Sequence, residues 1–487
     1  METIAEATLA DGRKLPYVIR DDPPRGGMKY TYFAPDKSYV VQFFNNPMVA
    51  ADPNTHQRLE AIIGKYNPTR SEADGGAPGN SEAMARYFSG SFCWPTAIVK
   101  EPEFGVVCPA YPSNFVFTED ASSVLPLKGR DKRSNWFTSA RNRRHLAQEE
   151  IGDFRAMLRM SITLARAVRR MHQAGLAHSD LSCNNVLIDP KTGGCVVIDI
   201  DSLVVPGLFP PEVVGTRGYI APEVLETMGL APGDRKLPSS YTDLHALAVL
   251  LYEYLLMRHP LEGPKHCVRS TPEEEDIVDY GTDALFIENP HDTRNRPQDL
   301  ELTIHDLGPF LEDLFLRAFV DGLHDPNRRP TAMEWEKGLV KTWDLLHPCE
   351  NPDCAARWFI LHDPKRPVCP FCGTRAKRVV RLQLQSPLWG RSGQWVPAGE
   401  VNVYDNMPLF KWHFLADVFP DEKTDRELQA YICWYHNQWL MVNYAVQGMT
   451  SPGGNLVPTG RAVELKNGVI FRAAGGQRAY LIKVEAF

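Results

Sequence analysis

The chain has 487 residues, too many for one ordinary hydrophobic core, so about two to four domains are expected. Its 43% hydrophobic and 23% charged residues are typical of a soluble globular protein. The net charge of −7 argues against nucleic-acid backbone binding as the main task, because that task requires an excess of Lys and Arg.

The sequence contains no pattern typical of secretion or of a membrane span. The first residues, METIAEATLADGRKLP, lack a basic stretch followed by an apolar one, so no signal peptide is expected. The longest apolar run, LHALAVLLYEYLLM at residues 244–257, is too short for a membrane span and contains His245 and Glu253, which predicts a buried core helix. Ten irregularly spaced cysteines do not resemble a secreted disulfide framework. We therefore expect a cytoplasmic protein that does not associate with membranes.

The N-terminal part of the chain alternates strand-like and helical stretches. Residues 29–46, KYTYFAPDKSYVVQFFNN, predict a hairpin, because two β-rich runs flank the turn signal APDK. Helical spacing follows at residues 56–66, and the Gly-, Pro- and Ser-rich residues 67–83 predict a loop. The segments WPTAIV and FGVVCPAY predict two more strands.

The rest of the chain begins with a polar segment and then becomes helical. The polar segment carries a basic cluster, Arg141, Arg143 and Arg144, which is either a solvated face or a docking patch. Apolar residues at helical spacing predict a long helix over residues 153–174. Further helical stretches follow, and residues 379–487, rich in Trp, Tyr, Val and turns such as SPGGN and KNG, predict an all-β module.

Three polar residues in the middle of the chain suit phosphoryl transfer. Asp180 and Asn185 follow the predicted long helix, and Asp199 ends the strand-like run CVVID. Phosphoryl transfer requires a carboxylate that orients the attacking hydroxyl, and oxygen ligands that hold Mg²⁺ against the phosphates. Since Mg²⁺ keeps several waters, one Asp and one Asn are enough ligands from the protein.

Five motifs, in order, resemble those of eukaryotic-type protein kinases. HSDLSCNNV is similar to the H-R-D-L-x-x-x-x-N catalytic loop, and IDIDS stands where D-F-G is expected. GTRGYIAPEVL is similar to the segment leading into A-P-E, YTDLHALAVLLYEYL to the helix after it, and DPNRRPTA to a late Arg motif. The likeness covers residues 10–345. It implies an α+β bilobal protein kinase fold with an N-lobe at residues 1–112 and a C-lobe at residues 113–346.

The resemblance implies a role for each matching residue. Asp180 would be the catalytic base of an ATP-dependent enzyme, and Asn185 and Asp199 would hold its Mg²⁺. Read from the residues alone, the alternative is three buried polar groups that satisfy a loop. Three further residues would be structural. Glu223 would pair with Arg329, and Asp243 would brace the catalytic loop.

The lysine that binds the nucleotide phosphates in kinases is missing from its usual strand. Gln42 stands in its place in SYVVQFF, and Gln is a neutral donor that does not offset phosphate charge. Lys29 and Lys37, on the neighbouring strand and its turn, are the candidates to replace it. We prefer Lys29, because it follows Gly26 and Gly27, where the phosphate-covering loop should close.

Other departures from the kinase pattern accompany this one. DDPPRGGMKY is not a G-x-G-x-x-G loop, and Asp201 replaces the D-F-G glycine. Glu60 stands near the place of the helix Glu that pairs with the lysine, but without that lysine a surface Glu is the favoured interpretation. Ser182 replaces the lysine that Ser/Thr kinases place two residues after the base. The losses at positions 42 and 182 lower the expected rate and keep a pseudokinase interpretation open.

The activation segment carries a further departure. Ser179 replaces the Arg that normally pairs with a phosphorylated loop. The only hydroxyl residues between Asp199 and the A-P-E motif are Ser202, Thr216 and Tyr219, and the last two are expected to face the substrate. The middle of the segment, LVVPGLFPPEVV, is apolar and rich in Pro. We therefore expect a loop that is held by apolar packing rather than switched by phosphorylation.

A cysteine quartet at residues 347–378 predicts a structural zinc site. The spacing C-x4-C-x14-C-x2-C gives two pairs of thiolates, and the CPFCG turn suits a metal knuckle. The segment resembles a zinc ribbon, and a closed four-thiolate site leaves no position for catalysis. The predicted Zn²⁺ ligands are Cys349, Cys354, Cys369 and Cys372.

The β-rich module at residues 379–487 resembles a degenerate forkhead-associated domain. VPTGRAVELKNGVIF is similar to the last strands of that family, and Gly390, Arg391 and His413 suit its earlier motifs. Phe410 replaces a phosphate-binding Ser and Pro458 an Asn, so the module is not expected to bind phosphothreonine. An unrelated all-β sandwich remains the alternative.

The domain order resembles that of kinases in bacterial tellurium-resistance stress systems. This likeness implies a von Willebrand A-type protein and a PP2C-type phosphatase as partners, besides a protein substrate. The leading hypothesis is an ATP- and Mg²⁺-dependent protein kinase that acts on Ser or Thr. The rival is a nucleotide-binding pseudokinase that assembles partners through its zinc ribbon and sandwich. Nucleic-acid binding through the basic residues after the quartet is disfavoured by the overall charge.

Overall fold

A computed structural model describes residues 3–25, 28–200, 203–205, 215–265, 271–388 and 393–487. The chain divides into two compact units. The first unit comprises Met1–Gly152, Arg159–Leu300 and Phe315–Trp335, and the second comprises Asp153–Leu158, Glu301–Leu314 and Glu336–Phe487.

The first unit begins with a six-stranded antiparallel sheet of order β2-β1-β5-β6-β4-β3. The hairpin predicted at residues 29–46 is confirmed as β3 and β4, in which Thr31 lies opposite Gln42. The two further strands predicted from WPTAIV and FGVVCPAY are β5 and β6. The strands are β1 (Ile4–Leu9), β2 (Lys14–Val18), β3 (Lys29–Phe33), β4 (Tyr39–Phe44), β5 (Ala97–Glu101) and β6 (Gly105–Pro109).

Helices and one small hairpin complete the first unit. The helix predicted at residues 56–66 begins earlier, because the Asp52 side chain accepts a hydrogen bond from Asn54 N and caps it before Pro53. The hairpin is β7 (Val186–Asp189) with β8 (Gly194–Val197), directly after the catalytic-loop sequence. The helices are α1 (Pro47–Ala51), α2 (Pro53–Ile63), α3 (Glu82–Ser89), α4 (Asn135–Thr138), α5 (Ala140–Arg143), α6 (Gln148–Ile151), α7 (Phe154–Gln173), α8 (Pro222–Leu225), α9 (Ser240–Leu256) and α10 (Pro272–Tyr280).

The apolar run at residues 244–257 is the buried core helix that its sequence predicts. Nearly every residue of α9 is buried, and Ser239 begins the helix with a capping box that it shares with Thr242. The helix ends at Met257, whose left-handed φ of 59° stops the hydrogen-bond ladder. No helix in the described part of the chain is long and apolar enough to cross a membrane.

His245 is a buried histidine within α9. Only 2% of it is exposed, and neither ring nitrogen finds a hydrogen-bond partner among the described residues. Burial holds its pKa well below the usual value, so the ring is neutral in the folded state. Above roughly pH 6.5 the ring is neutral in both states, whereas below that pH the unfolded chain binds the extra proton. His245 therefore makes the fold less stable as the pH falls below that value.

The second unit is mostly β-structure. The hairpin of β9 (Leu346–Pro348) and β10 (Trp358–Ile360) precedes two four-stranded sheets, of order β12-β11-β18-β17 and β13-β14-β15-β16. One apolar core, which includes Leu382, Ile432 and Phe471, takes residues from both sheets. The other strands of the second unit are β11 (Val380–Pro387), β12 (Trp395–Asn402), β13 (Pro408–Leu409), β14 (Ala430–Tyr435), β15 (Gln438–Asn443), β16 (Ala462–Glu464), β17 (Ile470–Arg472) and β18 (Leu481–Ala486). The helices α7, α11 (Pro309–Leu316) and α12 (Ala332–Trp343) each have residues in both units, and a π-helical turn (Arg317–Asp321) belongs to the first unit.

Candidate active site

The Asp180 carboxylate is held by two hydrogen bonds from different parts of the chain. Asn185 donates through Nδ2 to Asp180 Oδ2 at 2.9 Å and to the Asp180 carbonyl at 2.8 Å. The Thr216 hydroxyl donates to Asp180 Oδ1 at 2.7 Å. Hydrogen bonds therefore hold both oxygens of the carboxylate in place. A carboxylate that receives a proton from a substrate hydroxyl requires such a fixed orientation. Because Asn185 uses its side-chain nitrogen for both bonds, its side-chain oxygen Oδ1 is left for a metal ion.

The carboxylate of Asp243 in α9 fixes the backbone that precedes Asp180. The Asp243 carboxylate accepts hydrogen bonds from His178 N at 2.8 Å and from Ser179 N at 3.2 Å. The His178 ring lies 2.9 Å from the Ile198 carbonyl, next to Asp199. Ser179 has a φ of 65°, which non-glycine residues adopt only when their surroundings hold them there. These bonds fix the loop that presents Asp180.

Lys29 and Asp199 form an ion pair at the other side of the site. Lys29 Nζ lies 3.2 Å from Asp199 Oδ1, and it lies 5.8 Å from the centre of the Phe44 ring. The Lys29 side chain is only 8% exposed, whereas that of Asp199 is 49% exposed. The Lys29 charge holds the pKa of Asp199 below its usual value, so the carboxylate is ionised.

The register of the β3–β4 hairpin explains why Lys29 reaches this position. Thr31 lies opposite Gln42, and Lys29 is two residues before Thr31, so Lys29 and Gln42 project from the same face of the sheet. Gln42 donates to the Thr31 hydroxyl at 3.2 Å, and its Oε1 lies 3.7 Å from Cys108 Sγ. Lys29 therefore lies on the strand next to Gln42 and projects from the same face of the sheet as Gln42. Position 42 is where the kinase pattern has its lysine.

Among the other predicted nucleotide-binding residues, Glu60 is not brought to this pair. Glu60 is exposed on α2, and it forms no ion pair within the described ranges. This position agrees with the surface interpretation rather than with a helix Glu paired to the lysine. Gly26 and Gly27 lie outside the described residues, as do Asp201 and Ser202.

The two serines that replace basic residues are both buried. Ser182 is 0% exposed, and its hydroxyl accepts a hydrogen bond from Asn184 N at 3.3 Å. The Ser179 hydroxyl is buried and finds no hydrogen-bond partner among the residues that the structure describes. Neither side chain replaces the positive charge that its position carries in kinases.

The predicted structural pair Glu223 and Arg329 comes together across the first unit. Arg329 donates through Nη1 and Nη2 to the two carboxylate oxygens of Glu223, at 2.8 and 2.7 Å. Its guanidinium also donates to the carbonyls of Gly322, Leu323 and Tyr241. This bidentate pair fixes the end of the segment that carries Thr216.

Tyr219 anchors the same segment to α9. Its hydroxyl donates to Glu253 Oε2 at 2.6 Å, and burial raises the pKa of Glu253 to about 8. Val204, at the beginning of the segment, is buried and forms an antiparallel bridge with Ala177. Most of the apolar stretch in between, residues 206–214, lies outside the described residues, so its predicted packing stays a prediction.

The cysteine quartet forms one compact cluster in the second unit. All four sulfur atoms lie within 4.8 Å of one another, with 3.5 Å between Cys349 and Cys372 and 3.9 Å between Cys354 and Cys369. Four thiolates around Zn²⁺ at about 2.3 Å would lie about 3.8 Å apart in a tetrahedron. The cluster fits a structural zinc ion, and no disulfide forms among the cysteines in the described ranges.

His413, one of the three positions that suit forkhead-associated motifs, is buried in the C-terminal module. His413 is 5% exposed, and its Nδ1 accepts a hydrogen bond from Phe410 N at 2.9 Å. Its Nε2 lies 3.4 Å from Asp344 Oδ1. Gly390 and Arg391 lie outside the described residues. The described residues agree with a module that does not use His413 to bind phosphate.

Thr216 has a role in this site that its sequence motif does not indicate. The motif predicts that Thr216 faces the substrate, whereas in the structure its hydroxyl donates a hydrogen bond to the carboxylate of Asp180, 36 residues earlier. The only available signal was its place beside a glycine in GTRGY, where Gly215 has a φ of 128° and turns the chain toward the catalytic loop.

The central part of the chain matches a known family. Residues 134–337 match the family model described as "Protein kinase domain". Serine/threonine-protein kinase PknD of Protochlamydia amoebophila is 29% identical over 195 residues, which are 33% of this chain and 19% of that protein. Probable serine/threonine-protein kinase RTK1 of Saccharomyces cerevisiae is 30% identical over 145 residues, 27% of this chain and 22% of that protein. Human anti-Muellerian hormone type-2 receptor is 32% identical over 136 residues, 23% of each.

The chain spans about a fifth of the length of these curated relatives. Among solved structures, a rhoptry kinase from Toxoplasma gondii is similar over 70% of this chain and 84% of that chain, at 14% identity and a TM-score of 0.41. ROP2 from the same organism is described as having a protein-kinase fold and no enzymatic activity. It is similar over 70% of this chain and 85% of that chain, at 16% identity and a TM-score of 0.38. The match to the protein kinase domain is therefore a property of residues 134–337.

Proposed function

We propose that the chain is an ATP- and Mg²⁺-dependent protein kinase that transfers the γ-phosphoryl group to a Ser or Thr hydroxyl of a protein. The observation that carries this proposal is the Asp180 carboxylate, oriented by Asn185 on one oxygen and by Thr216 on the other. A scaffold has no need for a carboxylate oriented in this way. The protein kinase domain, and relatives named as serine/threonine kinases, support the proposal.

Each residue of the site has one task in this proposal. Bound ATP would supply the phosphoryl group, and Mg²⁺ would offset the charge of its phosphates. Asn185 and Asp199 would hold the metal ion, and Asp180 would orient the acceptor hydroxyl and take its proton. Lys29 would bind the α- and β-phosphates in place of the missing lysine at position 42. In the structure Lys29 lies beside Asp199, so it is close to the proposed metal ligand.

The test is transfer of labelled phosphate from ATP by the full chain, compared with the Asp180→Asn variant. Asn keeps the shape of Asp but does not accept the proton, so transfer should fall by about 10²- to 10⁴-fold while ATP binding is retained. Asp11→Asn, at an exposed carboxylate in the β1–β2 turn, is the matched control and should transfer like wild type. If wild type binds ATP but transfers no phosphate either, the kinase proposal is rejected and the pseudokinase scaffold is supported.

The second candidate is a nucleotide-binding pseudokinase that assembles partners through its cysteine-rich and β-rich segments. Gln42 and the buried Ser182 favour it, because both remove a positive charge from the phosphate site. It predicts that ATP binds and that no acceptor is labelled under any condition, including a wide range of Mg²⁺ and Mn²⁺ concentrations.

We also propose that the kinase acts in cytoplasmic stress signalling in bacteria, beside a von Willebrand A-type protein and a PP2C-type phosphatase. The order of kinase, cysteine-rich segment and β-rich module supports this placement. Co-expression of the chain with each candidate partner tests it. Recovery of neither partner with the full chain, both with and without ATP, would reject it.

A further inference from the structure

A short hairpin in the cysteine-rich segment of the second unit has one buried side and one exposed side. Val368 and Arg375 form an antiparallel bridge across it, and Ala376 N donates to the Pro367 carbonyl at 2.7 Å one step further along. Residues directly opposite each other in such a pair project to the same side, so Val368 and Arg375 are neighbours. Both are exposed, whereas Pro367 and Ala376 are buried. The buried pair faces the apolar core that contains Ala376, and the exposed pair faces outward.

Three cations accompany one apolar side chain on the exposed side. Lys377 follows Arg375 after the buried Ala376, which is the alternation of an extended segment. On the other arm, Val368 N donates to the Arg366 carbonyl at 2.8 Å, in a tight turn that keeps the exposed Arg366 next to Val368. Val368 itself is 43% exposed. The four residues of this basic face are Arg366, Val368, Arg375 and Lys377.

The cations of the basic face have no acidic partner within the described residues. No ion pair and no side-chain hydrogen bond joins Arg366, Arg375 or Lys377 to another residue in those ranges. The Glu350 carboxylate lies nearby, but it accepts a hydrogen bond from the backbone N of Lys377 at 2.6 Å and does not pair with the ammonium. The basic face therefore presents three positive charges to an external anion.

Other cations of the second unit are paired with acids. These pairs are Arg381 with Glu400, Lys411 with Asp425, and Lys483 with Glu485. The whole chain has 53 Lys and Arg against 60 Asp and Glu, so acids are plentiful as partners. Like charges that share one face repel each other, and an anionic partner removes that repulsion. A cluster of unpaired cations in an acidic chain is what such a partner would require.

The chemistry of the basic face suits an acidic protein segment better than a nucleic acid. Protein–protein contacts combine an apolar centre with a polar rim, and the fork of an Arg pairs with carboxylates. Proteins that hold single-stranded nucleic acid stack its bases on aromatic rings, and the basic face has none. The Arg378 guanidinium, directly after the face, already covers the Trp434 ring at 4.8 Å from its centre. An apolar residue between acidic ones would match Val368 between its cations.

We infer that the basic face binds an acidic segment of a partner protein, whose carboxylates pair with the three cations and whose apolar side chain packs on Val368. Residues two apart on one arm are about 7 Å apart and the two arms are about 5 Å apart, so about five residues of an extended segment cover the face. This binding requires neither ATP nor Asp180, so it is independent of the proposed phosphoryl transfer.

The experiment measures the binding of labelled peptides to the full chain by fluorescence anisotropy. The probe contains two glutamates, one leucine and two more glutamates between glycine flanks, and it lacks a hydroxyl side chain, so it is no acceptor for the proposed kinase. One matched peptide replaces its glutamates with glutamine, another replaces its leucine with glycine, and an oligothymidylate represents nucleic acid. We expect the probe to bind more tightly than all three, and its affinity to fall as the salt concentration rises.

Removal of the three cations should weaken binding of the probe by about 10- to 100-fold, because one exposed ion pair contributes about two- to fivefold. This triple variant combines Arg366→Gln, Arg375→Gln and Lys377→Gln. Its control removes the same charge at three other exposed cations, through Lys100→Gln, Lys423→Gln and Arg461→Gln, and should bind the probe like wild type. Val368→Ser should reduce the advantage of the probe over the glycine peptide and leave the salt dependence unchanged.

Four results would overturn the inference. The first is equal affinity for the probe and its glutamine peptide, and the second is an affinity of the triple variant within twofold of wild type. The third is an equal loss in the control variant, which would indicate a general effect of charge. The fourth is tighter binding of the oligothymidylate that is lost in the triple variant, which would assign the face to nucleic acid. If thermal unfolding shows that the triple variant does not fold, Arg375→Glu alone decides: it should weaken binding of the probe by about tenfold, and an unchanged affinity would reject the docking surface.

Discussion

Replacing Lys29 with Met tests the relocated lysine directly. Met keeps an unbranched apolar chain of similar length, so it can pack where the Lys29 stem now packs near Phe44. It removes the ammonium that lies 3.2 Å from Asp199 Oδ1. The variant therefore changes the charge of the site with little change in its shape.

The expected loss follows from the burial of that ammonium. The Lys29 side chain is 8% exposed, so its charge is poorly screened by water. Removing one preorganised donor from such a site costs about 2.7–4 kcal/mol of transition-state stabilisation. That corresponds to a fall of about 100- to 1000-fold in kcat/KM. The Asp199 carboxylate also loses its cation, so its pKa should rise and Mg²⁺ should bind more weakly at low pH.

The assay is initial-rate phosphoryl transfer over a range of ATP concentrations, with thermal unfolding as a check on folding. Lys37→Met is the matched control, because Lys37 was the other candidate and is exposed in the β3–β4 turn. It should act like wild type. The double variant Lys29→Met with Gln42→Lys returns the lysine to β4 on the same face, and it should recover part of the lost rate.

Two outcomes would refute the reasoning. If Lys29→Met keeps the wild-type kcat/KM and ATP affinity, Lys29 does not bind phosphate. If Lys37→Met loses activity to the same extent, the turn supplies the cation and the ion pair with Asp199 is incidental to catalysis.

Three further predictions concern single groups elsewhere in the protein. Thr216→Ala should lower kcat by about tenfold, because Asp180 loses one orienting bond, whereas Thr216→Ser should stay near wild type in the same transfer assay. His245→Leu should flatten the pH dependence of stability. Wild type should lose up to about 1.4 kcal/mol per pH unit below roughly pH 6.5, measured by denaturant unfolding, and an equally steep loss in the variant would refute the account of His245. Cys354→Ser should abolish the zinc bound by the protein and lower its thermal midpoint, whereas Cys433→Ser should retain both; zinc content is measured by atomic emission.

Elements that depend on short-range pattern were predictable from the sequence. The hairpin at residues 29–46 and the long helix at residues 153–174 were found because alternation and helical spacing are visible within a few residues. The helix around His245 was found because an apolar run of that length fits only a buried core. Helix beginnings were less predictable, because Asp52 caps α2 several residues before its apolar spacing begins.

The structure supplies a reason to prefer Lys29 to Lys37 that the sequence alone does not contain. From the sequence, the preference depends on Gly26 and Gly27, which lie outside the described residues. The physical reason is the register of the hairpin, which places Lys29 and Gln42 on one face. A shift of one residue would turn Lys29 to the opposite face, and a single sequence does not fix that register.

Contacts between distant loops were not predictable from one sequence. The bond from Thr216 to Asp180 joins two segments with no shared local pattern. Lys132 belongs to a polar stretch of the sequence, yet it is buried, with its Nζ 2.8 Å from Glu150 Oε2 and 3.7 Å from Asp189 Oδ1. Both partners are distant in sequence, so a local pattern does not indicate this burial.

Three of the departures from the kinase pattern remove a cation, whereas the oxygen ligands are kept. Positions 42, 179 and 182 lose a positive charge, but Asp180, Asn185 and Asp199 retain their carboxylate or amide. Lys29 from a neighbouring strand pairs with Asp199, and Asn185 and Thr216 each donate a hydrogen bond to one oxygen of Asp180. A lysine on the neighbouring strand, beside the oxygen ligands of the loop, is what we expect of an active site whose phosphate contacts differ from those of the kinase pattern.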